Sequence, residues 1–282
     1  MTDLTAAETH FEFGKNWRSY AAQLNEAQIA EAVAGLRRLL RLDSLEGKTF
    51  LDIGCGSGVH ALAALRLGAT RVLAMDIDAD SVATTRALLN EHAPGSPVTV
   101  RQASILDADG VGPERFDVVY SWGVLHHTGR MHAAMQRAAA LVADNALFAF
   151  ALYRKTWCCP LWKIEKRWYT GASEPWRRRA RSVYLGLHGL SLLLKGQRLR
   201  DHMRNYAIGN RGMDFLHDVH DWLGGFPYES ISSGEVEAFM RGLGFGQVAS
   251  NVRLDLRSRS GLLGSGCDEY LYRRSSAGDR AL

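Results

Sequence analysis

Four cysteines in 282 residues are too few and too scattered for a disulfide framework. Cys55, Cys158, Cys159 and Cys267 make no C-x-x-C pair, which excludes a disulfide-stapled secreted scaffold and fits a reducing compartment. A long apolar run is also missing. The longest, from Tyr184 to Leu194, is interrupted by Gly186, His188 and Gly189, and it falls short of the roughly 20 residues that span a bilayer; it suits a buried or interfacial helix. Residues Met1 to Thr5 lack a basic stretch followed by an apolar one, so no secretory signal is expected and the cytoplasm is the expected location. Acidic residues are scarce in one region. Between Arg154 and Arg204, thirteen lysines and arginines face only Glu165, Glu174 and Asp201, about +10 in a chain whose total is +4, so the remainder sums to about −6. Four of the seven tryptophans, Trp157, Trp162, Trp168 and Trp176, fall in the same region.

An apolar share of 46% is ample for a core, and the length allows one large or two small domains. The stretch Phe50-Leu51-Asp52-Ile53-Gly54-Cys55-Gly56-Ser57-Gly58, followed by Val72-Leu73-Ala74-Met75-Asp76, reads as strand, glycine turn, helix and second strand ending in a carboxylate. That is the first half of a nucleotide-binding βαβ unit. The dinucleotide fingerprint lacks its third glycine, because Val59 stands in that place and Gly58 comes one residue earlier. Side chains at Gly54 and Gly56 would block backbone approach to a ligand, and a carboxylate is a two-oxygen acceptor matched to a vicinal diol.

The G-x-G-x-G spacing, with Asp52 two residues ahead of it, resembles motif I of the class I S-adenosylmethionine-dependent methyltransferases. The resemblance implies a Rossmann-like α/β fold: a seven-stranded, mostly parallel sheet whose last strand is antiparallel. It implies S-adenosylmethionine as cofactor and S-adenosylhomocysteine as product, with Asp52, Gly54, Gly56 and Gly58 against the amino-acid end. Asp76, followed by Ile77, would bind the ribose hydroxyls. Val98-Thr99-Val100 reads as a third strand leading to Ser104 and Ile105, which in the family wall the adenine. Phe116 to Tyr120 reads as a fourth strand ending in Ser121, Trp122 and His127, where open α/β sheets place ligands.

Apolar spacing predicts an N-terminal helix over about 24–42. The segment from Phe11 to Tyr20 ahead of it resembles the F…W lid of the quinone-methylase-like branch, which implies that Phe11 and Trp17 contact the cofactor. After an alanine-rich helix from His132 to Leu141 and a fifth strand over Ala146 to Tyr153, the sheet pattern stops. A helical region is expected from Trp157 to about Tyr206, then a glycine-rich loop to Tyr228, a helix over Ser233 to Leu243, and two last strands within Phe245 to Leu256 and Glu269 to Arg273. The expected division is an N-terminal helical lid (1–45), a cofactor-binding core (46–153), a helical substrate cap inserted after strand five (154–229), and a C-terminal completion of the sheet (230–282).

Chemistry concentrates between Asn210 and Glu229. This segment resembles an R-G-M-x(4)-D-x-x-D-W-x-G-G-x-P-x-E signature of the quinone-methylase-like group, and Arg211, Trp222, Tyr228 and Glu229 are the implied substrate contacts. Methyl transfer needs alignment above all, and a base only where the acceptor must lose a proton. His217, Asp218, His220, Asp221 and His127 are the candidate catalytic groups; spacing puts His217, His220 and Asp221 on one helical face and Asp218 with Asp221 on an overlapping one. Three roles are open to the cluster: a divalent-ion site, a loop fixed by side-chain to backbone bonds, or substrate recognition and base catalysis. The last is the expectation, and no metal is expected because no further ligand pair is evident. For His127 packing beside the cofactor is the favoured reading, with a role as base kept beside it.

The expected function is methylation of an O or N atom of a small metabolite, with the basic cap favouring an acidic acceptor. The alternative is a peripheral-membrane methyltransferase of a prenylated quinone or lipid, docking through 157–204. Nucleic-acid or protein methylation has less support, since Ser121-Trp122-Gly123-Val124 stands where an N-P-P-Y type tetrapeptide would follow strand four. A non-catalytic cofactor-binding subunit is the remaining reading.

Overall fold

Alternation of apolar residues along the central strands divides the core in two. In the computed structural model, which describes residues 11, 13–107, 112–208, 210–252 and 260–276, β1 (Thr49–Ile53) sends Leu51 and Ile53 to one face and Phe50 to the other. β2 (Arg71–Asp76) does the same with Leu73 and Met75 against Val72 and Ala74. Successive side chains on a strand point to opposite faces, so a strand covered on both sides reads as a continuous apolar run.

With β3 (Val98–Gln102), β4 (Phe116–Trp122), β5 (Val142–Tyr153), β6 (Phe245–Asn251) and β7 (Cys267–Arg274), these strands form one sheet in the order β3-β2-β1-β4-β5-β7-β6. The first five are parallel, and β7 runs antiparallel to both β5 and β6. The expected seven-stranded, mostly parallel α/β sheet is thus present. Helices α2 (Glu26–Leu40) and α3 (Val59–Arg66) pack on the Phe50 face, and α5 (Met131–Ala140) and α10 (Ser233–Gly242) on the Leu51 face. Fully burying one Leu or Phe stabilises by about 1.5–3 kcal/mol, and 22 of them are buried among the described residues.

Strand order reverses between β1 and β4, and the crevice above that point is where open sheets bind ligands. Over it lie α1 (Phe13–Ala21), the N-terminus of α4 (Ala79–His92), and a cap of α6 (Cys159–Gly171), α7 (Glu174–Leu193), α8 (Leu199–Asn205) and α9 (Phe215–Gly224).

The cap departs from its expected outline. The helical region is broken between α6 and α7, where Ser173 is extended and Pro175 opens the new helix, proline being suited to a first turn. It is broken again after α7, where Gly196 takes φ +72. The expected loop to Tyr228 contains α9, started by Asp214, whose carboxylate accepts from the backbone N–H groups of Leu216 and His217. β5 begins four residues earlier than expected, at Val142. β6 ends at Asn251, and most of its expected extension, 253–256, lies outside the described residues.

Candidate cofactor and acceptor site

The turn after β1 is a backbone device. Gly54, Gly56 and Gly58 all take positive φ, at +75, +53 and +84, a region that costs other residues about 1–2 kcal/mol. Space forbids side chains there too. A Cβ on Gly54 would lie 2.3 Å from Val124, and one on Gly56 would lie 3.1 Å from the Trp17 indole. Asp76, at the end of β2, holds the turn by accepting from the Gly56 N–H at 2.9 Å and the Asp78 N–H at 3.0 Å. A carboxylate offers about four lone-pair positions, so Asp76 retains capacity for a diol.

This turn floors a cavity of about 960 Å³. Asp52 reaches it from β1 with Oδ2 lacking a hydrogen-bond partner among the described residues. Burial, reinforced by Asp76, lifts its carboxyl to about 7, and burial lifts Asp76 to about 6. A buried and a partly buried carboxylate beside a cradle of left-handed glycines form a site that a cationic ligand would relieve. These features fit an adenosyl sulfonium with an amino-acid tail: the cradle admits backbone approach, Asp76 suits a ribose diol, and Asp52 suits a cation. Ile77, Ser104 and Ile105 line the same end.

The lid is tied to the cap by Asn16, whose amide donates to Asp221 Oδ1 at 2.7 Å and to the His217 carbonyl at 3.1 Å. Phe11 and Trp17 both line the cavity. On the cap side, α9 directs Asp218, Asp221 and Trp222 inward. Tyr206 donates to Asp218 Oδ2 at 2.7 Å, and burial raises both carboxyls. Arg211 takes φ +58, a costly conformation for a residue other than glycine. Its turn is locked because Tyr20 and Gln28 both donate to the Gly212 carbonyl. The result is a guanidinium 3.1 Å from the centroid of the Trp122 ring, a cation–π stack on the cavity wall. His127 lies on a 3-10 turn (Leu125–His127) after β4, and its Nδ1–H donates to the Pro227 carbonyl at 2.8 Å, which makes Nε2 the basic nitrogen.

Comparisons with known proteins bear on the fold and on the segment that carries the glycine turn. Residues 51–148 match the family described as "Methyltransferase domain". An aligned stretch of 121 residues is 31% identical to a ubiquinone biosynthesis O-methyltransferase of Rhodopseudomonas palustris, covering 43% of this chain and 46% of the relative. Another, of 134 residues, is 41% identical to a ribosomal protein L11 methyltransferase of Pectobacterium carotovorum, covering 40% and 44%. The chain thus spans under half the length of these curated relatives. The fold is similar to that of a magnesium protoporphyrin IX methyltransferase from Synechocystis PCC 6803 solved with bound SAH, at TM-score 0.54 and 18% identity over 93% of this chain and 94% of that one.

Several expected site residues lie elsewhere. Ser121, at the end of β4, points away from the cavity and donates to the Ile53 carbonyl at 3.2 Å. Strand alternation is the reason: Tyr120 and Trp122 share the cavity face, and Ser121 must take the other. His217 pairs with Asp214 at 2.8 Å and meets Ser19 at 3.3 Å, outside the cavity. His220 accepts from Arg181 at 3.2 Å and meets Tyr169 at 2.9 Å; burial, then Arg181, lowers it to about 4. Tyr228 is buried, its hydroxyl 3.2 Å from both Cys159 Sγ and Ser265 Oγ. Glu229 accepts from the Met131 N–H at 2.9 Å and starts α5. These five are structural supports here. No cluster of three or more potential metal ligands occurs among the described residues.

Other cavity groups were not expected. His60 and Tyr120 line the wall with rings 5.1 Å apart, and burial lowers His60 to about 3. Alternation from Trp122 marks Tyr120, and the helical turn after Gly58 marks His60. Asn16 gave no signal, since its partner is 205 residues away.

Proposed function

We propose that the chain is an S-adenosylmethionine-dependent methyltransferase acting on an O or N atom of a small acceptor. One observation carries this reading: the three left-handed glycines and the carboxylates of Asp52 and Asp76 open into the same cavity as His127, Asp218 and Arg211. When bound, the cofactor supplies an electrophilic methyl group with a neutral thioether as leaving group. Gly54, Gly56 and Gly58 hold its amino-acid end through the backbone, Asp52 balances its cationic charge, and Asp76 accepts from the ribose hydroxyls. Phe11 and Trp17 cover it and exclude water. His127 Nε2 takes the proton of the acceptor hydroxyl or ammonium, with Pro227 fixing the tautomer. Asp218 and Asp221 accept hydrogen bonds from the acceptor, and Arg211 attracts an anionic group on it. The small-molecule acceptor is favoured because Phe11 and Trp17 of the N-terminal segment and Asp218 and Trp222 of α9 line the same cavity as the glycine turn.

The test is turnover with labelled S-adenosylmethionine and fractionated metabolites, followed by identification of the labelled product. His127→Asn should lower kcat by about 10²–10⁴-fold while leaving cofactor affinity within about twofold. Equal loss of both would make His127 a structural residue. Absence of cofactor binding by calorimetry would overturn the whole reading.

A further inference from the structure

The cap exposes its apolar side chains on one stripe. Along α7, Trp176, Val183, Leu187, Leu190 and Leu194 recur at three- and four-residue intervals or their sums and therefore share a face. All are at least half exposed, from 53% at Leu187 to 79% at Leu194. The 20-residue helix is about 30 Å long, so the stripe runs most of its length. α6 repeats the pattern with Leu161, Ile164 and Trp168, extended by Trp157 at 85% exposure. Exposed apolar residues repeated on one face of a helix differ from the singly scattered ones that ordinary surfaces carry. Exposed Lys163, Arg167, Arg178, Arg179 and Lys195 accompany it on the same helices or at their ends.

We infer that the α6–α7 face docks on an anionic lipid surface. Large apolar and aromatic residues on one stripe with lysine and arginine alongside make an interfacial helix, and each basic residue near an anionic leaflet adds attraction. Charge selects the occupant. Lys163, Arg167, Arg178, Arg179 and Lys195 are exposed there, so a second copy joined face to face would set like charge against like, whereas an anionic bilayer complements it. No described helix is long and apolar enough to cross a membrane, so the contact lies in the interface plane. The inner face of α7 gives the docking a use. Tyr184 and His188, on that face, line the cavity, so one helix separates the bilayer from the acceptor space.

The test is co-sedimentation of the full chain with vesicles, measured without turnover so that it stands apart from the chemistry. Phosphatidylcholine vesicles containing phosphatidylglycerol should bind at least about tenfold more protein than phosphatidylcholine alone, and 0.5 M salt should reverse most of the difference. The double variant L187E/L190E should lose at least about tenfold of the bound fraction, as should R178E/R179E, whose exposed sites do not support the core; unchanged circular dichroism and cofactor affinity show that each is folded. Four results would overturn the inference: no binding to anionic vesicles at low salt, equal binding to both vesicle types, binding unchanged in both folded variants, or a dimer that the same substitutions dissolve without any vesicle binding.

Discussion

The sheet core and the cap apply opposite rules to the same amino acids. In the core, Phe50, Phe116, Phe148 and Phe150 are fully buried. In the cap, Leu161, Ile164, Val183 and Leu187 face solvent, while Lys166 is fully buried and Glu165 largely so. Lys166 Nζ finds no hydrogen-bond partner among the described residues and sits 3.6 Å from the centroid of the Trp222 ring, with Trp162, Tyr153 and Tyr228 around it. Burial drives Lys166 down to about 7 and Glu165 up to about 7. The core is organised for stability. The cap forgoes some stability to shape a cavity on one side and an apolar surface on the other, the usual bargain at functional sites.

The seam between the two regions is the sharpest place to break the comparison. Arg154, the first residue past β5, forms a buried ion pair with Asp268 of β7, with Nε 2.9 Å from Oδ1. Asp268→Asn leaves a buried guanidinium without its charge partner and should cost about 3–5 kcal/mol, read as a lowered denaturant midpoint. If the cap is an independent appendage, the loss will instead be near zero.

Within the core, Gly54→Ala combines a left-handed backbone with a 2.3 Å approach to Val124 and should cost about 2–5 kcal/mol. Calorimetry should show cofactor affinity falling at least about tenfold. A similar change at Gly186 of α7, where a Cβ meets nothing within 4 Å, should leave both stability and affinity intact.

Acid should act on the core end of the cavity first. Asp52 is raised to about 7 and Asp76 to about 6, and a cationic ligand requires both ionised. Affinity should therefore be highest above pH 7.5 and fall severalfold toward pH 5.5. Their contribution to folding runs the other way, because groups whose folded pKa is raised bind protons more readily in the native state, and stability from them declines as pH rises from about 4 to about 7. A flat calorimetric affinity profile would remove Asp52 from the charge-balancing role.

The smallest effect tests the cap's buried cation. Lys166→Met keeps the volume and removes the desolvation cost, so it should raise stability by about 1–2 kcal/mol. The gain should be larger at pH 6 than at pH 9, since a lysine with a lowered folded pKa costs stability as pH falls below its unfolded value. Destabilisation would show that the aromatic surround depends on the ammonium.

Legibility followed how local each feature is. The glycine turn and Asp76 were readable because backbone conformation and strand ends are set within about 20 residues. Ser121 was misjudged although the signal was present, since neighbours on a strand cannot face the same side. The Arg211 to Glu229 segment was legible as a site but not in its members. Helical spacing permits several groupings of His217, Asp218, His220 and Asp221; Asn16 and Tyr206 hold the Asp221 and Asp218 carboxylates, and Arg181 holds the His220 ring.

The sequence by itself determined the fold class, the succession of the first five strands along the chain and the chemistry of the cradle, because apolar periodicity and glycine turns are local consequences of residue type. Tertiary structure alone decided that the lid clamps the cap through Asn16, that Arg211 stacks on Trp122, and that α7 turns imidazole and phenol inward and leucine outward. Those depend on contacts between segments up to about two hundred residues apart, and no local pattern encodes which distant surface a helix will meet.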